Sequence, residues 1–420
     1  MSKKTATILI ISIFVIIFGF LIYSYFRLGG GGDTTTGTGG FRDFFPFGKD
    51  RETGGAPSDG GVGGTDGAKM PTLRKISAEP VAGFTTYETG GKEKEKNIFR
   101  FILKATGNVF DIPEDALDSV RISNTTIPKI FEAKFLTEDG ILVRYLDDDN
   151  QTIETYLSKI KKDANGNYTS LDGIYLAKNI TETAVSPSGN IFYLEEKANG
   201  SVGSILNIKT NKSEVIFDSP LKEWSFLFPS DDQIFYFSKP SATIKGYMYA
   251  LDPKSSKVVK ILSGTTGLSV NIGKDFKTLY SEYSGGRVYL SVGNAKNGVF
   301  GEFDIPTLAE KCVIEEVIYC AGPKFGASGN LPDSWYQGLT FFTDNIWRVS
   351  SDEESVVEMS DLSESSGEDI DAINLQLTKD GEYLLFINKR DGALWSLKVK
   401  EDTPKSDIEL DIGTTTEETI

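Results

Sequence analysis

The chain has 420 residues, 39% of them hydrophobic and 25% charged, which is the composition of a globular protein with room for one large domain or two. A formal net charge of −16, with no dense run of Lys and Arg, disfavours nucleic acid as a partner, because a nucleic-acid binder needs a basic face against the phosphates. Histidine is absent, so Ser-His-Asp and Cys-His catalysis and every zinc site built with histidine are excluded.

The first predicted element is a membrane-spanning helix at residues 6–26, "ATILIISIFVIIFGFLIYSYF", which carries no charge and is long enough to cross a bilayer. Lys3 and Lys4 precede it, which predicts that residues 1–5 form a cytoplasmic stub and that the rest of the chain lies outside the cytoplasm. The alternative is a cleaved signal peptide, but its apolar core would be shorter and a small-x-small cleavage site would follow. We therefore expect an uncleaved, single-pass anchor in the cell membrane.

Residues 27–72 are predicted to be a disordered tether, because fifteen of the 43 residues from Leu28 to Met70 are glycine. Within it, "FRDFFPFG" at 41–48 is either a short docking motif or an apolar patch that rests on the membrane or the domain. The acidic tail at 401–420 is predicted to be disordered as well. Residues 73–400 remain for the folded domain.

A repeated phrase divides the predicted domain. "SPSGNIFYL" at 186–194 returns as "PSDDQIFYF" at 229–237 and, more loosely, as "TKDGEYLLF" at 378–386. When an aromatic residue near the end of the phrase is aligned along the chain, the gaps between copies are 44, 48, 43, 44, 39 and 67 residues. The aligned residues are Phe101, Tyr145, Tyr193, Tyr236, Tyr280, Tyr319 and Phe386. Such spacings between short strands and turns are typical of the blades of a β-propeller.

The last copy, "AINLQLTKDGEYLLFINKRDGALWSLKVK" at 372–400, predicts an inner strand, a DG turn, a buried aromatic strand, a second DG turn and a third strand. This pattern resembles the WD-like repeats of the periplasmic propeller of the Tol system and of dipeptidyl-peptidase-type propellers, in which Ser-Pro-Asp-Gly precedes an apolar run. Residues 267–300 and 313–320 match the pattern more loosely. The resemblance covers about residues 73–400 and implies a fold, not an activity.

The predicted fold is therefore an all-β, seven-bladed propeller, with six or eight blades as the alternatives. Each four-stranded blade has two apolar faces that only its neighbours can cover, which explains why the second strand of each copy is rich in Ile, Leu, Phe and Tyr. The last copy supplies only three strands. We expect residues 73–78 to add the fourth, outer strand and so to close the ring.

The two cysteines, Cys312 and Cys320, are eight residues apart in "KCVIEEVIYC". We expect them on the first two strands of the sixth blade, on either side of a turn at Glu315 and Glu316. Hairpin geometry can bring them opposite one another, and a location outside the cytoplasm permits a disulfide. A redox-active pair is the alternative, but the spacing is not C-x-x-C. The sequence therefore favours a structural disulfide.

The long final gap contains an insertion at residues 321–338, which we expect in the loop between the second and third strands of the sixth blade. Loops of this kind open on the face that propellers usually use for binding. The insertion carries the candidate binding residues Lys324, Phe325, Asp333, Trp335 and Tyr336. The alternative is that Trp335 and Tyr336 fold back and close the blade edge or the central channel, since a loop of this length needs packing of its own.

No catalytic or metal-binding residue is predicted. The sequence contains no G-x-S-x-G elbow, P-loop or dinucleotide-binding fingerprint, so no cofactor is expected. The Asp- and Asn-rich segment at 163–172 lacks the glycine and glutamate of an EF-hand and is better explained as a solvated loop. Paired carboxylates could still act on a glycan, but no spacing in the sequence identifies such a pair.

These features predict a membrane-anchored, extracytoplasmic propeller that resembles the anchored WD-like propellers of bacterial envelopes. Its expected role is that of a non-catalytic scaffold for another envelope protein or a surface polymer. The alternative is an envelope enzyme that acts on glycan through a carboxylate pair at the mouth of the propeller channel. The two hypotheses differ at that mouth: an enzyme requires two carboxylates about 5–10 Å apart, one of them desolvated, whereas a scaffold requires aromatic side chains.

Overall fold

A computed structural model describes residues 72–90, 95–164, 168–298, 300–326, 329–350 and 355–400 of the chain. The predicted anchor at 6–26, the stub before it, the tether up to residue 71 and the acidic tail lie outside these residues, so they stay predictions. Within the described part of the chain, no helix is both long enough and apolar enough to cross a membrane.

The described residues form seven antiparallel sheets of four strands, each of which is one blade of a β-propeller. After β1 (Leu73–Ser77), blade 1 comprises β2 (Val81–Thr89), β3 (Lys96–Leu103), β4 (Val109–Pro113) and β5 (Val120–Arg121). Blade 2 comprises β6 (Ile130–Phe135), β7 (Gly140–Leu146), β8 (Ile153–Lys162) and β9 (Tyr168–Tyr175). Blade 3 comprises β10 (Ile180–Val185), β11 (Ile191–Lys197), β12 (Gly200–Asn207) and β13 (Lys212–Ser219).

The remaining blades follow in chain order. Blade 4 comprises β14 (Trp224–Ser230), β15 (Gln233–Ser238), β16 (Lys245–Leu251) and β17 (Val258–Thr266). Blade 5 comprises β18 (Ser269–Ile272), β19 (Lys277–Ser284), β20 (Arg287–Asn294) and β21 (Phe300–Phe303). Blade 6 comprises β22 (Cys312–Ile314), β23 (Ile318–Pro323), β24 (Asp344–Val349) and β25 (Val356–Asp361). Blade 7 comprises β26 (Ala372–Leu377), β27 (Tyr383–Asn388), β28 (Leu394–Lys398) and β1.

The ring closes through the two ends of the domain. Strand β1 is the outer strand of blade 7 and pairs antiparallel with β28, with Leu73 opposite Leu397 and Arg74 opposite Ser396. Both the seven-bladed fold and the closing strand predicted from residues 73–78 are confirmed. Backbone hydrogen bonds between the first and last described strands therefore hold the propeller shut.

The sequence repeat corresponds to the second strand of every blade. All seven aligned aromatic residues lie on second strands, namely β3, β7, β11, β15, β19, β23 and β27. These strands are apolar on both faces because each junction between neighbouring blades has its own cluster of buried side chains. Between blades 3 and 4, for example, the rings of Phe192 and Phe226 lie 4.3 Å apart, and Phe217 contacts Tyr236 edge to face.

The insertion lies between β23 and β24, at residues 324–343, as predicted for a loop between second and third strands. Since all pairs are antiparallel, these loops and the connections between blades lie on one side of the ring, which we call the insertion face. The insertion contains the short helix α1 (Asp333–Tyr336). A second short helix, α2 (Leu362–Ser366), lies in the connection from blade 6 to blade 7, and a 3₁₀ turn at Ala309–Lys311 leads into blade 6.

Candidate functional site

Hydrogen bonds tie the insertion to three other blades. From blade 4, the backbone nitrogen of Ala242 donates to Asp333 Oδ2 at 2.5 Å. From blade 5, Tyr283 Oη donates to the carbonyl oxygen of Gly329 at 2.7 Å. From blade 7, a side-chain nitrogen of Arg390 donates to the carbonyl oxygen of Phe342 at 3.2 Å. The candidate binding residue Asp333 therefore already accepts a backbone N–H of its own domain. The insertion crosses the insertion face and is built into the fold.

Trp335 is 4% exposed and packs against Leu331 and Phe342 of the same insertion. Its Nε1–H donates to Asp371 Oδ2 at 2.8 Å, and Lys389 Nζ lies 3.9 Å from the centre of its ring. The side chain of Trp335 thus folds back into the domain and is not presented on the surface of the insertion. A partner could reach little of the ring without moving the insertion.

Three charged side chains next to Trp335 have no exposed surface: Lys311, Asp344 and Asp371. Lys311 Nζ lies 2.7 Å from Asp344 Oδ2 and also contacts Asp371 Oδ1. Asp344 Oδ2 accepts the backbone N–H of Ala372 at 2.7 Å as well, and its other oxygen is buried without a hydrogen-bond partner. Burial and the neighbouring Asp371 raise the pKa of Asp344 to about 6, although Lys311 opposes the shift.

Tyr336 points the other way from Trp335 and is 42% exposed. Its hydroxyl donates to the carboxylate of Glu310, which lies in the 3₁₀ turn before blade 6. Burial raises the pKa of Glu310 above its ordinary value of 4.5, while the hydrogen bond from Tyr336 and the charge of Lys311 oppose the shift. Burial, and then the charge of Glu310, raise the pKa of Tyr336 well above its ordinary value of 10.0.

A second carboxylate, Glu182, lies on β10, the first strand of blade 3. Burial raises the pKa of Glu182, and Lys239, whose Nζ lies 3.7 Å from its Oε1, opposes the shift. The charge of Glu182 in turn raises the pKa of Glu310. Two carboxyl groups with raised pKa values and the aromatic side chain of Tyr336 therefore interact on the insertion face, and this arrangement does not decide between the two functional hypotheses.

Lys324 and Phe325 occupy the start of the insertion, away from the channel. Phe325 is 94% exposed, and Lys324 Nζ lies 3.2 Å from Glu358 Oε2 on the surface. Both line a groove of about 1020 Å³ between blades 5 and 6, together with residues such as Arg287 of blade 5 and Trp347 of blade 6. Of the five candidate binding residues, Lys324, Phe325 and Tyr336 are exposed, whereas Asp333 is half-buried and Trp335 is buried.

The predicted disulfide between Cys312 and Cys320 is confirmed. The two residues face each other on β22 and β23, with their Cα atoms 4.0 Å apart. They are 2% and 0% exposed and belong to the apolar cluster between blades 5 and 6. Such burial fits a structural bridge, because a redox-active cysteine needs an accessible sulfur.

One group of acidic side chains in the described part of the chain is compact enough to consider as a metal site. Oxygen atoms of Glu114, Asp380 and Glu382 lie within 4.8 Å of one another, on the face opposite the insertion. Asn97 Nδ2 donates to Glu114 at 2.6 Å and to Asp380 at 2.8 Å. These hydrogen bonds account for the arrangement, and we infer no metal site from it.

Two groups of charged residues could not be identified from the sequence. One is the buried group of Lys311, Asp344 and Asp371, and the other is the pair of carboxylates Glu182 and Glu310. Lys311 and Asp371 directly precede an inner strand, and Asp344 is the first residue of β24. A charged residue beside an apolar run is ordinary at the end of a strand, so nothing in the sequence separates these positions from solvated ones. Only the packing of the insertion over them makes them unusual.

Comparison with known proteins shows the fold alone. No family model matches the sequence, and no curated protein matches it. Among similar solved structures, the propeller domain of the Trilobed protease from Pyrococcus furiosus has 9% identity and a TM-score of 0.48, and the match covers 75% of this chain and 96% of that chain. Oligogalacturonate lyase from Vibrio parahaemolyticus has 12% identity and a TM-score of 0.46, with coverage of 77% of this chain and 99% of that chain. TolB from Acinetobacter baumannii has 8% identity and a TM-score of 0.39, with coverage of 76% of this chain and 80% of that chain. At such low identity, function has to be argued from the residues of this chain.

Proposed function

We propose that this protein is a membrane-anchored scaffold of the cell envelope whose insertion face binds another protein. The observation that supports this proposal is the uneven distribution of exposed apolar side chains between the two faces of the ring. Loops of the insertion face expose Leu221, Ile244, Phe325, Tyr336, Leu339 and Phe341. Among the described loops of the opposite face, Leu117 is the one large apolar side chain exposed to a similar degree.

Exposed large apolar side chains lower solubility and add nothing to the stability of an isolated domain, so a concentration of them on one face indicates an interaction surface. Aromatic side chains are the usual anchors of protein interfaces, because one ring buries a large area with few rotatable bonds. Phe325 fits this role best, since it is 94% exposed beside a groove of about 1020 Å³. The charged side chains around it, such as Lys324 and Arg287, would form the polar rim.

Membrane anchoring belongs to this proposal because the uncharged run at residues 6–26 precedes the domain. A glycine-rich tether over residues 27–72 would have a root-mean-square length of about 35–40 Å, which would let the propeller turn its insertion face towards partners near the membrane. Protease added to cells with permeabilised outer layers should digest the propeller and spare residues 1–5. A propeller that stays protected would contradict the proposed location.

The partner is tested with a photo-activatable phenylalanine derivative at position 325 of the full chain, expressed in the native cells. The control carries the same group at position 117, because Leu117 is 78% exposed on the opposite face. We expect the first protein to give a defined cross-linked product whose partner is identified by mass spectrometry, and the control to give none.

A matched pair of substitutions then measures the contribution of the ring. Phe325→Ser should weaken capture of that partner at least tenfold, which corresponds to about 1.4 kcal/mol, whereas Leu117→Ser should leave capture unchanged. Products that are equal at both positions, or that contain a polymer and no protein, would overturn a protein partner for this face.

A second candidate function, an enzyme acting on glycan, is supported by one observation. The charge of Glu182 acts on Glu310, and burial raises the pKa of each. A carboxyl group with a raised pKa can act as a general acid near neutral pH, and a second carboxylate can act as the base. Tyr336, which donates to Glu310, would orient the acid.

This second function is tested by incubating the full chain with envelope polysaccharide and measuring released reducing ends. We expect Glu310→Gln and Glu182→Gln each to reduce release by about 10²–10⁴-fold, because each removes one proton-transferring group. Lys324→Gln, at the outer groove, is the control that should keep full activity. No release by the parent chain would exclude this function for the polysaccharide used.

A further inference from the structure

The junction of blades 6 and 7 holds an arrangement that neither proposed function uses. Lys311, at the start of blade 6, contacts carboxylate oxygens of Asp344 and Asp371, and all three side chains are 0% exposed. Asp371 directly precedes the inner strand of blade 7, and Asp344 begins the third strand of blade 6. The insertion covers the group, with the rings of Trp335 and Phe342 centred 5.4 Å and 4.8 Å from Lys311 Nζ.

As separate ions, these residues are costly to bury. Two carboxylates share one ammonium group, so one negative charge lacks a counter-charge in a place that water does not reach. Lys389 lies nearby but hydrogen-bonds to the carbonyl oxygen of Trp335 and to neither carboxylate. Burial favours the neutral form of Asp344, whose pKa is raised to about 6. A condensation between the lysine and one carboxylate would remove one charge of each sign.

We propose that Lys311 and Asp371 condense to form an intramolecular isopeptide bond that joins blade 6 to blade 7. Lys311 Nζ forms a bond to Asp371 Cγ, and the bond from Cγ to Oδ1 breaks. Of the three ammonium protons, one stays on the amide nitrogen and two leave with Oδ1 as water. The reaction consumes no oxidant or co-reactant.

Asp344 is placed to move the protons. Its Oδ2 lies 2.7 Å from Lys311 Nζ, so it can accept a proton from the ammonium group and make the amine nucleophilic. It can then give that proton to the departing oxygen of Asp371 and carry the second proton from the nitrogen to the same oxygen, so that water leaves and Asp344 ends in the state in which it began. A carboxyl group whose pKa is raised to about 6 suits both transfers.

Two N–H groups of the insertion are placed to stabilise the negative oxygen that forms when the amine attacks. Trp335 Nε1 and the backbone nitrogen of Phe342 donate to Asp371 Oδ2 at 2.8 Å and 3.0 Å. Those distances match the ones found for oxyanion holes. Once the amide has formed, Oδ2 is its carbonyl oxygen and keeps both donors.

Two features favour the condensation: the fixed position of the lysine amine against the carboxyl group of Asp371, and the exclusion of water from the site. The fold holds the amine against the carboxyl group, which replaces an encounter in solution by contact within one molecule. Water released into the solvent cannot easily return, because Trp335 and Phe342 close the site. The product closes a loop across 60 residues of the chain and fixes the insertion above the junction.

The test is peptide mapping of the purified, denatured and reduced full chain by mass spectrometry. Trypsin does not cleave after an acylated lysine, so the bond should join the peptide 297–324, uncut at Lys311, to the peptide 349–379. The joined pair should weigh one water molecule less than its two parts, and fragmentation should place the link on Asp371. Finding only peptides cut at Lys311 would overturn the proposal, as would a link to the peptide 325–348, which contains Asp344.

Variants separate the chemistry from the fold. Asp344→Asn keeps the size of the side chain but removes the proton acceptor, so the joined peptide should be lost while the circular dichroism spectrum of the propeller is retained. Lys389→Met removes the other lysine next to Trp335 and should leave the joined peptide at the parental level. A fully joined pair in Asp344→Asn would contradict the role of Asp344, and loss of the pair in Lys389→Met would contradict the assignment to Lys311.

Discussion

Replacing Trp335 by alanine is the change that most directly tests whether the insertion is part of the fold. The ring is 4% exposed and fills the space between Leu331 and Phe342. Truncation of a buried Trp to Ala typically lowers the free energy of unfolding by about 3–5 kcal/mol, through lost burial and the cavity left behind. Two further losses accompany it here, because Asp371 loses a hydrogen-bond donor and Lys389 loses the ring beneath its ammonium group.

These losses overlap in space and do not add, so we expect about 3–5 kcal/mol in total. Trp335→Phe divides the effect into its parts. It keeps most of the ring and the contact with Lys389 but removes the Nε1–H donor to the buried Asp371. Asp371 Oδ2 keeps the backbone N–H of Phe342 but loses one of its two donors, and a hydrogen bond to a charged group contributes about 1.5–3 kcal/mol, so this variant should fall between the parent and Trp335→Ala.

The assay is urea unfolding followed by far-ultraviolet circular dichroism, which does not depend on the tryptophan removed. Limited proteolysis of the insertion is measured alongside it, because a surface element can open without unfolding the whole domain. Phe325→Ala is the matched control, since this ring of the same insertion is 94% exposed and its loss should cost less than about 0.5 kcal/mol. If Trp335→Ala and Phe325→Ala behave alike in both measurements, the reasoning about burial is refuted.

Three further changes follow from the structure. Cys312→Ser should lower the free energy of unfolding by no more than about 2–3 kcal/mol in urea titrations, because the bridge to Cys320 spans only eight residues; a much larger loss would contradict the loop argument. Arg100 Nε lies 2.7 Å from the largely buried Asp111. Arg100→Met leaves that carboxylate without its counter-charge, so it should lower the free energy of unfolding by about 3–5 kcal/mol in the same assay. An unchanged midpoint would contradict the contribution of this ion pair. Burial raises the pKa of Glu310 in the folded protein. Its carboxyl group therefore contributes stability below pH 4.5, and that contribution is lost as the pH rises through the raised pKa. Glu310→Gln should accordingly reduce the loss of stability between acid and neutral pH.

The fold could be predicted from the sequence because the feature that repeats is also the feature that packs. A blade can be covered only by another blade, so its second strand must be apolar on both faces, and this requirement leaves the same run of residues in each copy. The copies at residues 267–300 and 313–320, which match the repeat loosely, form regular blades as well. In blade 5 the second and third strands are joined by Gly285 and Gly286, so a tight turn can replace the Asp-Gly phrase.

The site could be predicted only in part, because its decisive contacts join distant parts of the chain. The sequence placed the insertion on the correct loop, but the direction of each ring depends on what lies beneath it. Trp335 turns inward because Asp371, 36 residues away, offers its Nε1–H a buried acceptor. Tyr336, the next residue, donates a hydrogen bond to Glu310, 26 residues back. Neither partner is marked in the sequence, since a single Asp or Glu at the end of a strand is usually solvated.

The positions of its side chains divide the insertion into two regions with different tasks. From Gly329 to Phe342 it hydrogen-bonds to blades 4, 5 and 7 and covers the buried charges, so changing this region alters the stability of the domain. Phe325 makes no comparable packing contact and stands exposed beside the groove between blades 5 and 6. Deletion of the whole insertion would therefore confuse loss of folding with loss of binding. Substitutions at position 325 change only the exposed region, and for that reason a loss of partner capture there can be assigned to recognition.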